Sequence, residues 1–171
     1  EKANRSKCQS NLHQIGIAAA QQFGEAGDRL PFRGPLSTDN LHWGKAAENL
    51  LPYLKNVKEV FDCPANPGNR DRPACKLPSY DYYTDYEFNG YLCSFGPISP
   101  DNNKKQNRIY DASVAAYAYD LPYIPPTSPH FDGINIVYMD GHTAWLANVD
   151  MKQTNRAGTL EYEFYVAGHS Y

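Results

Sequence analysis

The 171 residues carry a net charge of −3, with 42% hydrophobic and 20% charged residues, the make-up of a globular protein long enough to bury a core. That balance excludes a basic nucleic-acid surface: Lys2, Arg5 and Lys7 cluster near the start, but acids elsewhere offset them and no aromatic-basic strip reads as a base-stacking platform. No apolar run of about 18 residues occurs, so no helix of this stretch is expected to cross a bilayer. Tyrosine is abundant, 14 against 7 Phe, beside 13 Pro and 12 Gly. This composition points to a loop-rich body whose connections are pinned by aromatic side chains with polar tips.

The first predicted element is a helix over residues 1–24. Cys8, Leu12, Ile15, Ala19 and Phe23 succeed one another at helical steps and form one apolar stripe, which Lys2, Arg5, Gln9, His13 and Gln21 avoid. Gly24 and Gly27 are stop signals. At 1.5 Å per residue such a helix is about 35 Å long. It has no evident N-cap, and the sequence opens on Glu1 with the helical pattern already running. The expectation is a helix cut from a longer one, with residues 25–171 as the head of a single domain.

Residues 28–44 are rich in breakers, and a short second helix is expected over 41–50, with Leu41, Ala46, Ala47, Leu50 and Leu51 inward. Pro52 bends the chain, and Leu54, Val57, Val60 and Phe61 make a buried turn into Cys63-Pro64. The segment 79–95 holds Tyr80, Tyr82, Tyr83, Tyr86 and Tyr91 among Asp and Asn, which favours irregular structure held by side-chain hydrogen bonds. A strand is expected over 113–119. A hairpin follows in 130–146, with Asp140-Gly141 as a two-residue turn at positive φ. Ile134, Ile136 and Tyr138 would share one face of its first strand. Residues 160–166 alternate as a further half-buried strand. A long helix followed by an antiparallel sheet is an α+β order, in which helix stripe and apolar sheet face bury one another.

Four cysteines, Cys8, Cys63, Cys75 and Cys93, lack the paired spacing of a zinc finger and suit disulfides in an oxidising compartment. Sequence admits three pairings. Cys63 with Cys75, closing a short loop, is favoured, with Cys8 free and packed on the helix.

Several segments resemble one bacterial family. Asn11-Leu12-His13-Gln14-Ile15-Gly16-Ile17-Ala18 is similar to the "NLKQIGLAL" signature of type IV pilin-like proteins with a prepilin-type N-terminus, the pseudopilins related to type II secretion. Leu51-Pro52-Tyr53-Leu54 with Val60-Phe61-Asp62-Cys63-Pro64 resembles that family's "LLPYL…VFxCP" segment, and Ser79-Tyr80 with Asn89-Gly90 its "SYGxN" segment. His130 with Asp140-Gly141, and His142 after it, resembles the C-terminal "H-x9-DG" hallmark. His13 stands where the family usually has Lys. The resemblance implies a pilin-like fold and a non-enzymatic structural subunit of a pseudopilus or surface filament. It would be anchored in the inner membrane through a missing apolar half-helix and an assembly platform, with its head in the cell envelope or at the surface. Leu12, Ile15, Ala19 and Phe23 would then dock the helix on the head, and its exposed face would contact neighbouring subunits.

Asp120, His130, Asp132, Asp140 and His142 are the candidate site group. If the strand ending at Asp120 neighbours the hairpin, they could converge. Calcium would take Asp120, Asp132 and Asp140 with backbone carbonyls, while zinc would prefer His130, His142 and a carboxylate. The structural alternative assigns Asp140 to the turn and His130 to backbone hydrogen bonding. No Gly-x-Ser-x-Gly elbow or phosphate loop is present, and Glu161 with Glu163 reads as a solvated strand face, so catalysis is not expected. A different class of function, a surface carbohydrate- or substrate-binding module, would use Trp43, Trp145 and the tyrosines as a platform.

Overall fold

The apolar period of the N-terminal segment produces helix α1, Lys2–Glu25, in a computed structural model that describes residues 1–25, 42–66, 73–88, 113, 116–120, 130 and 133–147. All five stripe residues, Cys8, Leu12, Ile15, Ala19 and Phe23, are buried, and Asn11, Gly16 and Ala18 widen the buried face. Helix α2 spans His42–Leu50 and ends at the approach of Pro52, which has no N–H to return to the carbonyl four residues earlier, so the chain tightens into a 3-10 turn. Three short 3-10 turns follow, Leu51–Leu54, Lys58–Phe61 and Pro73–Cys75. The first closes with Lys55 and Asn56 in left-handed conformation, φ 52° and 61°.

Among the described residues, four strands form one antiparallel sheet in sequence order: β1 (Glu87–Phe88), β2 (Ala116–Tyr119), β3 (Gly133–Tyr138) and β4 (Thr143–Ala147). A helix at one end of the chain and an antiparallel sheet at the other make this an α+β fold. Of the strand expected over 113–119, β2 covers Ala116–Tyr119, Ser113 lies in a turn, and residues 114–115 are outside the described residues; a register shift lies between Ala116 and Ala118. The Tyr-rich segment is largely irregular, as its Asp and Asn content suggests, but its Glu87-Phe88 joins β2 as the edge strand. The expected strand over 160–166, the turn at Asn89-Gly90 and the position of Cys93 lie outside the described residues.

One detail of the hairpin differs from expectation. Its loop is three residues, Met139 to Gly141: Gly141 N donates to Tyr138 O at 2.9 Å, and Tyr138 N donates to His142 O at 2.9 Å. Gly141 alone takes positive φ, 88°, and Asp140 does not. A three-residue loop needs only one left-handed residue at its close, where a two-residue loop of the expected type needs two. The face of β3 that meets the helix is the one opposite Ile134 and Ile136. Val137 and Met139 join the core cluster with α1, whereas Ile134 and Ile136 are buried outside that cluster, on the opposite face of the strand. Residues 133–137 of β3 are all buried, so alternation alone could not assign the helix side.

Gly16 sets how near α1 comes to the hairpin. A Cβ built there would lie 2.6 Å from Val137 Cγ2 and 3.3 Å from the Gly141 Cα. His13, one turn earlier, places Nδ1 3.1 Å from Gly141 O and donates to it, so the same loop is held by a hydrogen bond and a close contact. Above the sheet, Phe23 and Phe88 meet the Tyr117 ring edge-on at 5.8 and 5.6 Å between centroids.

Gly16→Ala is therefore expected to destabilise the protein by about 1–3 kcal/mol, because overpacking against a stiff β-branched side chain outweighs the gain in helix propensity. Ile17→Ala, at a position 46% exposed, should stay within about 0.5 kcal/mol. Urea unfolding of both variants measures the difference, and equal stabilities would contradict the close approach.

Candidate functional site

The segment Phe61-Asp62-Cys63 is gripped from several directions. Asn11 of α1 donates from Nδ2 to Asp62 O at 2.8 Å, and the Tyr86 hydroxyl donates to the same carbonyl at 3.2 Å. Tyr82 donates to Asp62 Oδ2 at 2.6 Å, Cys63 N donates to Asp85 Oδ2 at 2.9 Å, and Asp85 N donates to Phe61 O at 2.9 Å. The Cys63 N–H to Asp85 bond answers a buried donor, and the bonds to the Asp62 carbonyl answer a part-buried acceptor. Together they place Cys63 against the first buried turn of α1.

There Cys63 forms a disulfide with Cys8, Cα to Cα 5.2 Å. This corrects the expected Cys63–Cys75 pairing. Cys75 is a buried thiol in the Pro73–Cys75 turn, whose carbonyl accepts from Thr84 N, and this turn packs on α2 rather than at the α1 face. Sequence proximity favoured the short loop, but Asn11 and the tyrosines bring the distant helix residue closer. The available signal was Cys8's place on the apolar stripe, which points it at the head.

Beside the disulfide lie Asp120, just past β2, and His130, which forms an isolated bridge with Gly133. His130 Nε2 is 3.0 Å from Asp120 Oδ2 and 3.5 Å from Cys63 Sγ. Asp120 also accepts from Asn135, from N to Oδ1 at 2.6 Å and from Nδ2 to Oδ2 at 2.7 Å. The His130 ring meets Trp145 edge-on at 5.9 Å. All four side chains are buried, none more than 2% exposed, and their ligating atoms lie within 4.8 Å of one another. Burial raises the Asp120 carboxyl above its usual range, and the hydrogen bonds from His130 and Asn135 oppose that rise. Among the described residues the group is closed off from solvent, so the chemistry open to it is ligation of a small ion, and thiol–disulfide exchange when the core opens to admit a reductant.

The second half of the expected site is elsewhere. Asp140 and His142 sit in the hairpin loop, where Asp140 Oδ1 accepts from His142 N at 3.0 Å and pairs with His142 Nδ1 at 2.6 Å. The His142 ring stacks on Tyr138 at 4.4 Å. Asp140 thus serves the turn. Three residues of strand, about 10 Å, and then the loop separate it from Asn135, the partner of Asp120. Asp120 and Asp140 cannot share a calcium ion, nor His130 and His142 a zinc ion, because β3 runs between the two pairs. Asp132 lies outside the described residues. Gly141 and the loop instead border an open groove on α1 lined by His13, Gly16, Ile17 and Ala20.

The aromatic side chains proposed as a platform are largely engaged. Lys58 Nζ lies over Tyr80 and Tyr82 at 4.8 and 5.6 Å, Lys76 over Tyr83 at 5.9 Å, and the Arg5 guanidinium over Trp145 at 4.6 Å. Trp43 is partly buried against the core.

Peptide mapping without reduction should recover Cys8 joined to Cys63, and a Cys63–Cys75 peptide would overturn the pairing. The Cys8→Ser/Cys63→Ser variant should lose about 2–4 kcal/mol in urea unfolding, the usual effect of removing a cross-link across a long loop. The tyrosines add a pH dependence. Burial, reinforced by the hydrogen bond to Asp62, raises Tyr82 above its ordinary value of 10.0, and burial raises Tyr86 well above it. The folded state therefore holds these protons more tightly than the unfolded chain. Their contribution to stability is complete below pH 10.0 and is lost as pH climbs through the raised folded values. Stability should fall above that pH, and tyrosinate absorbance should show part of the tyrosines ionising only with unfolding. Tyr82→Phe should flatten the slope.

No family model, curated protein or solved structure matches this chain.

Proposed function

We propose that the chain is the head and distal helix of a pilin-like subunit, a pseudopilin or a relative in a surface filament, which works by polymerising and performs no chemistry of its own. The observation that carries this reading is the way α1 is held. From Cys8 to Phe23 its apolar face is buried against the sheet and the 3-10 turns, whereas the residues of α1 before Cys8 are all exposed except Arg5, which is partly so. A filament subunit needs this division: one part of the helix joined firmly to a head, the other free for neighbours or membrane. The covalent Cys8–Cys63 link stands at the division, where a load on the helix would enter the head.

The partners under this reading are further copies arranged helically through heterologous contacts, and an inner-membrane assembly platform that engages the preceding apolar helix. The location is the cell envelope, which suits a disulfide. The carbohydrate-platform reading is weaker, because lysine and arginine side chains already cover the aromatic faces that a sugar would need.

The decisive test is the full-length gene product, expressed with a prepilin peptidase and assembly system. The residues ahead of Glu1 are expected to comprise a short basic leader and about 20 apolar residues. Electron microscopy of sheared cell surfaces should show filaments that are lost on replacing those apolar residues. A plain secretory signal peptide upstream, or a protein that stays monomeric in the assembling host, would sink the reading.

A further inference from the structure

We propose that Cys8, Cys63, Asp120 and His130 form a redox-gated site for a divalent transition-metal ion, zinc by its ligand set: a disulfide in the oxidised chain, a four-coordinate metal centre in the reduced one. The proposal stands on the buried cluster alone and is independent of the assembly role.

The donor set is the first argument. Two thiolates, one imidazole and one carboxylate are ligands that zinc accepts in tetrahedral geometry, and soft sulfur with imidazole disfavours calcium and magnesium. Geometry is the second. With metal–sulfur bonds of about 2.3 Å and metal–nitrogen or metal–oxygen bonds of about 2.0–2.1 Å, the edges of a tetrahedral site run from roughly 3.3 to 3.8 Å. Cys63 Sγ and His130 Nε2 are 3.5 Å apart, His130 Nε2 and Asp120 Oδ2 are 3.0 Å apart, and all four donors lie within 4.8 Å. The sulfurs, once released from their bond, need only separate within that space. His130 turns the same nitrogen toward both the sulfur and the carboxylate, so it would ligate through Nε2 with its proton on Nδ1.

The supporting shell is the third argument. Asn135 holds both Asp120 oxygens through its backbone N and its Nδ2, and Trp145 packs against the His130 ring. Outer partners of this kind orient ligands and exclude water. Metal binding and disulfide formation use the same two sulfurs and so exclude one another. A dithiol donor gives two electrons and two protons to the Cys8–Cys63 bond and closes into its own disulfide, leaving two protein thiols. Zinc then displaces those two protons and binds two thiolates. A small-molecule disulfide reverses the sequence: it takes two electrons from the thiolates and two protons from solvent, becomes a dithiol, and the Cys8–Cys63 bond re-forms as the ion is released. Either state ties α1 to the head.

The test uses the whole chain and Co2+ as the probe. A trialkylphosphine and water reduce the disulfide to two thiols, with phosphine oxide as the by-product and no competing thiol. After its removal under anaerobic conditions, cobalt is titrated. The reduced chain should take up one equivalent, with thiolate-to-cobalt charge transfer and tetrahedral d–d bands that zinc abolishes, whereas the oxidised chain should take up none. His130→Gln and Asp120→Asn should weaken uptake more than about 100-fold, and Asn135→Ala by about 10-fold. Cys75→Ser/Cys93→Ser should leave the spectrum intact. A reduced chain without tetrahedral cobalt bands, or bands unchanged in His130→Gln and Asp120→Asn, would overturn the proposal, as would bands lost in Cys75→Ser/Cys93→Ser. If the ligand variants do not fold, the contrast between oxidised and reduced wild-type chain and the Cys75→Ser/Cys93→Ser spectrum decide the matter.

Discussion

The close seating of α1 on the rest of the protein is the constraint on which the other features depend. A helix of this length with one narrow apolar stripe gains little by itself, since an isolated helix in water is marginal and most helical stability comes from packing. Three side-chain choices bring it home. Gly16 lets the backbone approach Val137 and the hairpin loop, Asn11 satisfies the Asp62 carbonyl that this approach buries, and Cys8 is joined covalently to Cys63. The tight contact needs the small residue, and the buried carbonyl needs the amide.

This seating also explains why the polar groups of the interior gather where they do. The chain that carries Cys63 must pass under the helix, and its backbone polarity has to be answered there. Tyr82, Tyr86 and Asp85 do so from the Tyr-rich segment, which accounts for some of the tyrosine excess. Asp120 and Asn135 answer one another across β2 and β3, and His130 closes the group against the disulfide. A carboxylate so deeply placed persists because its oxygens have donors; an unanswered charge there would cost far more than the bonds supply.

Much of the architecture was legible in residue order. The period of Cys8, Leu12, Ile15, Ala19 and Phe23 defined both the helix and its buried side, and Pro52 marked the end of α2. The Asp140-Gly141 pair located the hairpin turn, though not its length, because a loop of two residues and one of three both place glycine at the left-handed position. The candidate site was half legible. Asp120 and His130 were picked out by chemistry, but their supposed companions Asp140 and His142 belong to the far end of β3. Nearness to a shared hairpin in sequence does not distinguish its two ends, which extended backbone carries apart.

What the sequence by itself determined is local: the helix and its stripe, the breaks at proline and glycine, the antiparallel hairpin and the α+β order of elements. These follow from period and backbone preference, which act over a few residues. Only the tertiary structure decided which cysteines meet, which face of β3 receives the helix, and that Cys8, Cys63, Asp120 and His130 converge. Those pairings join residues far apart in the chain, and β3 is buried on both faces, so no local pattern encodes them. They are chosen by the single arrangement in which the helix stripe, the close contact at Gly16 and the buried hydrogen bonds are satisfied together.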